Sequence, residues 1–131
     1  MFHYSDANRK LVLSINNLNI FTTLYVFYKQ DLLVAIPHCA VCVTSILFWN
    51  DIHNTMLMYF DYIAVVNSLL FTYIHSFTYE KDYYITPMLS CVFYTYFLSM
   101  HFKNINQENL SIYMHTLTYL IGNIGTILTF A

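Results

Sequence analysis

LLVAIPHCAVCVTSILFWNDIHNTMLMYFDYIAVVNSLLFTYIHSF, residues 32–77, holds only two charged residues, Asp51 and Asp61. Asp51 lies in the short polar turn Asn50-Asp51-Ile52-His53-Asn54, between apolar runs at 32–49 and 56–77. A helix needs about 20 apolar residues, at 1.5 Å per residue, to cross a hydrocarbon core of roughly 30 Å. Both runs have that length, and the turn between them folds the second back along the first. Two antiparallel transmembrane helices are the reading this stretch dictates.

The pattern continues outward in both directions. Eleven of the twelve charged residues fall in short gaps: Asp6, Arg9 and Lys10; Lys29 and Asp31; Asp51; Glu80, Lys81 and Asp82; Lys103 and Glu108. They delimit five spans at about 11–28, 32–49, 56–77, 83–102 and 110–130. The expected fold is therefore all-α, a polytopic transmembrane bundle of five spans forming a single integral membrane domain over 1–131. Connections of about three to eight residues make consecutive spans antiparallel neighbours. Span 1 is the most polar, with Ser14, Asn16, Asn17 and Asn19 in its first half, so its rival reading is an interfacial helix. Pro37 and Pro87 are read as lying near the starts of spans 2 and 4, where a helix tolerates proline.

Composition agrees and excludes several function classes. The chain is 58% hydrophobic, 19% aromatic and 9% charged, against about 25% charged residues in an ordinary soluble domain. Five Lys and Arg with a net charge of −2 cannot build the phosphate-neutralising surface of a nucleic-acid binder. Cys39, Cys42 and Cys91 sit within apolar segments and read as packing residues rather than disulfides. Met1 to Lys10 is polar and leads directly into a stretch of span length, so a cleavable signal peptide is not expected. Arg9, Lys10 and Lys103 fall on one side and Lys29 and Lys81 on the other, a three-to-two bias toward a cytoplasmic N-terminus. The localisation read from this is integral to a membrane, multi-pass, with organelle, endomembrane and viral membranes all open. No phosphate-cradling Gly-rich loop, nucleophile elbow or potassium-filter sequence is present.

Asp61, the twelfth charge, is the one inside a span. A carboxylate at that depth has no water to solvate it and needs donors or a partner. Counting from the span ends puts Asp61 and His115 at similar depth below one membrane face, with Ser45 near that face on the facing helix. His115 and Tyr119 are four residues apart, on one helix face. The sequence thus predicts a polar cluster of Ser45, Asp61, His115 and Tyr119, in which His115 donates to Asp61 with Ser45 and Tyr119 as supporting hydroxyls. The rival reading is an Asp61 that, one turn inside its span, reaches the interface and gains from the helix dipole.

The order of these residues resembles the integral-membrane hydrolase superfamily of alkaline ceramidases and progestin- and adiponectin-type receptors. Thr44-Ser45-Ile46-Leu47-Phe48 followed by Phe60-Asp61-Tyr62 looks like its Ser and Asp elements, and His115-Thr116-Leu117-Thr118-Tyr119 like its final HxxxH pair. The resemblance implies a zinc-dependent lipid amidase, with Ser45 and Asp61 catalytic, Asp61 orienting the attacking water, and His115 a zinc ligand. Trp49 stands where the family has a histidine four residues after the Ser. Tyr119 stands at the second position of the last pair, and five spans replace seven.

With two of the three expected ligands replaced, the leading functional reading is a non-catalytic structural or accessory subunit of a membrane-embedded assembly, without a cofactor. Its partners are membrane lipids and other membrane protein subunits, with no nucleic acid. The alternatives are the zinc-dependent hydrolase and a small transporter or proton-conducting protein using Asp61.

Overall fold

The computed structural model describes residues 4–131. Six α-helices follow one another: α1 (Asp6–Ile15), α2 (Asn17–Tyr28), α3 (Leu32–Asn50), α4 (Thr55–Thr78), α5 (Asp82–Asn104) and α6 (Glu108–Phe130). There is no strand among the described residues. α1 and α2 form one rod, Asp6–Tyr28, broken only at Asn16. There the chain tightens, with Asn16 N–H bonded to Val12 O at 2.9 Å and Asn19 N–H to Asn16 O at 3.0 Å. The buried Asn16 and Asn19 side chains bond each other, so the break and the polarity of this segment have one cause.

Five rods thus make an up-and-down bundle. α3 packs on both α2 and α4, and α6 packs on both α5 and α2. The contact of α4 with α5, which closes the ring, is slight. The first rod starts earlier than the expected 11–28, because Ser5 caps it: its hydroxyl accepts from Asn8 N–H at 3.3 Å, with Asp6 in the first turn. Asp31 and Asn54 cap α3 and α4 in the same way. Pro37 and Pro87 lie in the second turns of α3 and α5 rather than the first. Each lacks the N–H that would bond the carbonyl four residues earlier.

Three of the turns repeat one device. Gln30, Glu80 and Asn106 adopt φ of 61°, 55° and 59°. Each turn closes with a pair of bonds: Asp31 N–H to Val26 O with Gln30 N–H to Phe27 O, Lys81 N–H to Ser76 O with Glu80 N–H to Phe77 O, and Gln107 N–H to Phe102 O with Asn106 N–H to Lys103 O. That is the Schellman arrangement, which satisfies the last carbonyls of a helix while reversing the chain.

The interior is the polar part of this protein. Among the described residues, sixteen polar or charged side chains are buried against thirteen apolar ones, and thirty large apolar side chains are exposed. A water-soluble bundle has the opposite distribution. Two apolar clusters form at the ends of the bundle: Val12, Phe48, Trp49 and Ile112 at the end bearing the 51–54 and 105–107 turns, and Val26, Val34, Ala35 and Phe130 at the other. Three segments, the α1–α2 rod, α3 and α4, are long and apolar enough to cross a membrane.

Candidate functional site

Between the two apolar clusters lies a cavity of about 350 Å³, whose lining includes Tyr4 and Lys103 at the first end and Val66 and Phe93 on the α4–α5 side. Its polar lining includes Asp61 and Tyr62 from α4, Tyr96 from α5, His115 and Tyr119 from α6, Asn19 from α2 and His38 from α3. Its lining stops around Thr126 and Ser68, short of the Val26–Phe130 cluster.

Asp61 is held from the side by α3. Ser45 Oγ donates to Asp61 Oδ1 at 2.6 Å, and Thr44 Oγ1 lies 3.0 Å from the same oxygen. Thr44 also reaches Ala40 O at 2.9 Å, so its single proton serves one acceptor at a time. Tyr119 OH in turn donates to Ser45 Oγ at 3.0 Å, linking α6, α3 and α4 through two hydroxyls. Asp61 Oδ2 accepts no hydrogen bond among the described residues, although Asp61 lines the cavity.

The structure therefore brings Ser45, Asp61 and Tyr119 into one hydrogen-bonded chain, with His115 beside it. His115 does not donate to Asp61. Its ring packs edge-on against Trp49 and Tyr119, with centroids 5.1 and 5.0 Å apart, and its Nε2 is buried with no hydrogen-bond partner among the described residues. The donor role expected of His115 falls to the hydroxyls of α3, of which Ser45 was expected in support and Thr44 was not. They stand closer because a four-residue turn holds α3 against α4.

Two groups escaped the sequence reading. Thr44, one residue before Ser45, shares the carboxylate. Asn123, four residues after Tyr119, donates from Nδ2 to Asn19 Oδ1 and to Tyr119 O, both at 2.8 Å, and ties α6 to α2. From Asn19 the network continues to Thr23, whose Oγ1 lies 2.7 Å from Asn19 O and 3.0 Å from His38 Nδ1. The signal was available in the Asn residues of the first span. Amides at membrane depth require amide partners, and Asn123 is the Asn near the middle of the last span.

A zinc centre of the kind the ceramidase resemblance implies does not fit these residues. A catalytic zinc takes three protein ligands, and among the described residues no three His, Cys, Asp or Glu side chains converge. At the two positions where the resemblance expects further histidines, Trp49 fills its place with an indole against His115, and Tyr119 spends its hydroxyl on Ser45. Cys42 is buried near Thr23, while Cys39 and Cys91 are exposed, and all three are free thiols.

No protein family, curated protein or solved structure matches this chain.

Proposed function

We propose that this chain is a five-span integral membrane protein that serves as a non-catalytic accessory component of a membrane-embedded assembly, among lipids and other membrane protein subunits. The observation that carries the reading is the inverted distribution of polarity. Ser68, Thr72 and Ser76 of α4, Thr95 and Ser99 of α5, and Asn123, Thr126 and Thr129 of α6 face inward. Phe93, Tyr94 and Phe97 of α5 and Tyr113, Ile124 and Leu128 of α6 face outward. α5 and α6 are each 23 residues long, about 35 Å at 1.5 Å per residue, and their apolar surface is directed outward like that of the three more apolar segments. Lower average apolarity in these two reflects inward hydroxyls, which bond neighbouring helices or their own preceding turn.

The unfit donor set around His115 favours this reading over the zinc hydrolase.

The test is cysteine accessibility at Gln30, Ile52, Lys81 and Ile105 in a background lacking the three native thiols. Five spans predict that an impermeant reagent labels positions 30 and 81 from one side and 52 and 105 from the other. Labelling of 30 and 105 from the same side overturns the topology. Metal analysis of purified protein checks the second part: about one zinc per chain, lost on His115→Ala, would establish the hydrolase reading instead. Extraction in mild detergent followed by native electrophoresis checks the third, and migration solely as a monomer would end the accessory role.

A further inference from the structure

The carboxylate of Asp61 is only half accounted for. Oδ1 takes the Ser45 and Thr44 hydroxyls, whereas Oδ2 has no donor among the described residues and borders a cavity whose lining is mostly apolar and aromatic. No Lys or Arg pairs with Asp61 among the described residues. Lys103 stands at the rim, its Nζ over the ring of Tyr4 at 5.8 Å from the centroid. A carboxylate in such surroundings calls for a cationic hydrogen-bond donor. The rings of Tyr62 and Tyr96, edge to face with centroids 6.0 Å apart, line the same cavity and offer the π faces that an ammonium group favours.

A second observation says what is attached to that cation. Val66, Leu69 and Phe93 line both the cavity and an adjoining apolar groove of about 230 Å³ between α4 and α5, completed by Leu70, Tyr73 and Leu89. From Asp61 to Tyr73 is about 18 Å along α4. Asp61 lies less than two turns inside α4, and the groove starts near mid-helix at Val66 and runs on to Tyr73, away from the Asp61 end. An amphiphile with its head at Asp61 and its chain running along α4 past mid-helix matches both.

We propose that Asp61, Tyr62 and Tyr96 with the α4–α5 groove form a binding site for a single-chain amphiphile bearing a protonated amine. Its ammonium group donates to Asp61 Oδ2, and its alkyl chain lies along Val66, Leu69 and Phe93. The site rests on the five-span reading, because only in a bilayer does the groove face lipid.

The experiment places the full-length protein in phosphatidylcholine nanodiscs and titrates dodecylamine, dodecanol and dodecanoic acid at neutral pH. Binding is read from the emission of Trp49, the sole tryptophan, whose ring touches His115 on the cavity wall. Stoichiometry comes from native mass spectrometry. The expected result is saturable binding of one dodecylamine per chain, at least tenfold weaker for the alcohol and the acid, and at least tenfold weaker for dodecylamine in Asp61→Asn. Val66→Phe, at a lipid-exposed position, narrows the junction of cavity and groove and weakens dodecylamine binding without touching the carboxylate. Equal binding of dodecanol, unchanged affinity in Asp61→Asn or Val66→Phe, or an absence of saturation overturns the site. A chain that maps with five spans yet binds no amine defeats this proposal alone, whereas a failed topology map defeats the membrane arrangement with it.

Discussion

On one side of α5, Ser99 Oγ donates to Ser111 O of α6 at 2.9 Å and Ser111 Oγ returns a bond to Ser99 O at 2.9 Å. Thr95 and Thr118 join hydroxyls at 2.8 Å one step further along, and Gly125 lets Met88 lie directly on the α6 backbone. On its other side, facing α4, the same helix offers Leu89 and Phe93 to Val66, Leu69 and Leu70, and a groove remains between them. The apolar seam is the loose one. In water the reverse would hold, but lipid tails solvate leucine as well as another leucine does. Helices in lipid are joined by small residues, close backbone approach and hydroxyl bonds. The difference explains how one bundle carries both a closely joined hairpin and an open apolar groove.

The sharpest way to break that contrast is at Gly125. A Cβ built there falls 1.3 Å from Met88 Sδ and 3.0 Å from Met88 Cγ. Alanine displaces only the flexible end of Met88, but Gly125→Leu forces the helices apart and should lower unfolding stability by about 2–3 kcal/mol. Leu70→Ala on the α4–α5 seam, at a half-exposed position, should cost less than about 1 kcal/mol. Unfolding in mixed micelles measures both, and a larger loss at Leu70 than at Gly125 would reverse the comparison. Adding Met88→Ala to Gly125→Leu should restore part of the loss, as residues in contact do.

Next in size are the reciprocal serines. Ser99→Ala and Ser111→Ala should each cost about 0.6–1.5 kcal/mol, the range of hydroxyl bonds between membrane helices. Because the two hydroxyls also lie 3.3 Å from each other, the double variant should lose less than the sum. Strict additivity in a double-mutant cycle would show that the hydroxyls act separately.

How legible this architecture was differs by level. Charge spacing marked the rods closely: expected spans 32–49, 56–77, 83–102 and 110–130 compare with helices Leu32–Asn50, Thr55–Thr78, Asp82–Asn104 and Glu108–Phe130. Residues 6–10 were passed over because charge was taken as a break. Ser5 and Asp6 instead open the helix, with Arg9 pairing back to Asp6 at 3.2 Å on the surface. At the site, proximity of Ser45 to Asp61 follows from the short turn between their helices. The place of His115 does not, since equal depth leaves the rotation of α6 undetermined. Rotation here turns His115 toward Trp49 and brings Asn123 to Asn19, a choice made by tertiary partners that periodicity within one helix cannot name. The α4–α5 groove was equally hidden, being a matter of fit between side chains that all read as apolar.

The two turns of α5 extend the contrast at smaller energy. Glu80, between α4 and α5, holds φ 55°, and Asn106, between α5 and α6, holds φ 59°. The left-handed region costs an ordinary residue roughly 1–2 kcal/mol, and Asn visits it more readily than Glu. Glu80→Gly should therefore stabilise the bundle by about 0.5–1 kcal/mol, less than the full strain because glycine also frees the unfolded chain. Asn106→Gly should gain less. If Glu80→Gly destabilises, its carboxylate has a role that the turn geometry does not reveal.

The smallest expected effect lies where the N-terminal segment is strapped to the α5–α6 hairpin. Glu108 Oε1 accepts from the backbone N–H of Ser5 and from Asn8 Nδ2, the latter at 2.8 Å, while Asn8 Nδ2 also reaches Asn109 Oδ1 at 3.0 Å. The Ser5 amide first, and the Asn8 side chain second, hold the Glu108 carboxyl below the usual glutamate range. A carboxyl depressed in the folded state contributes stability above its unfolded pKa, near 4.3, and loses it as pH falls through the lower folded value. Glu108 is partly open to solvent, so screening keeps the contribution small and overall unfolding should scarcely register it. The local contact will register it. In detergent-solubilised protein, the NMR shifts of the Ser5 amide and the Asn8 side-chain amide should titrate together, with a midpoint below that of an unperturbed glutamate. Glu108→Gln should remove the titration while leaving the α5–α6 bonds between Ser99 and Ser111 in place. A Ser5 amide that titrates at the ordinary glutamate value would mean the strap does not bind α6 through this carboxylate, and the hairpin then stands without it.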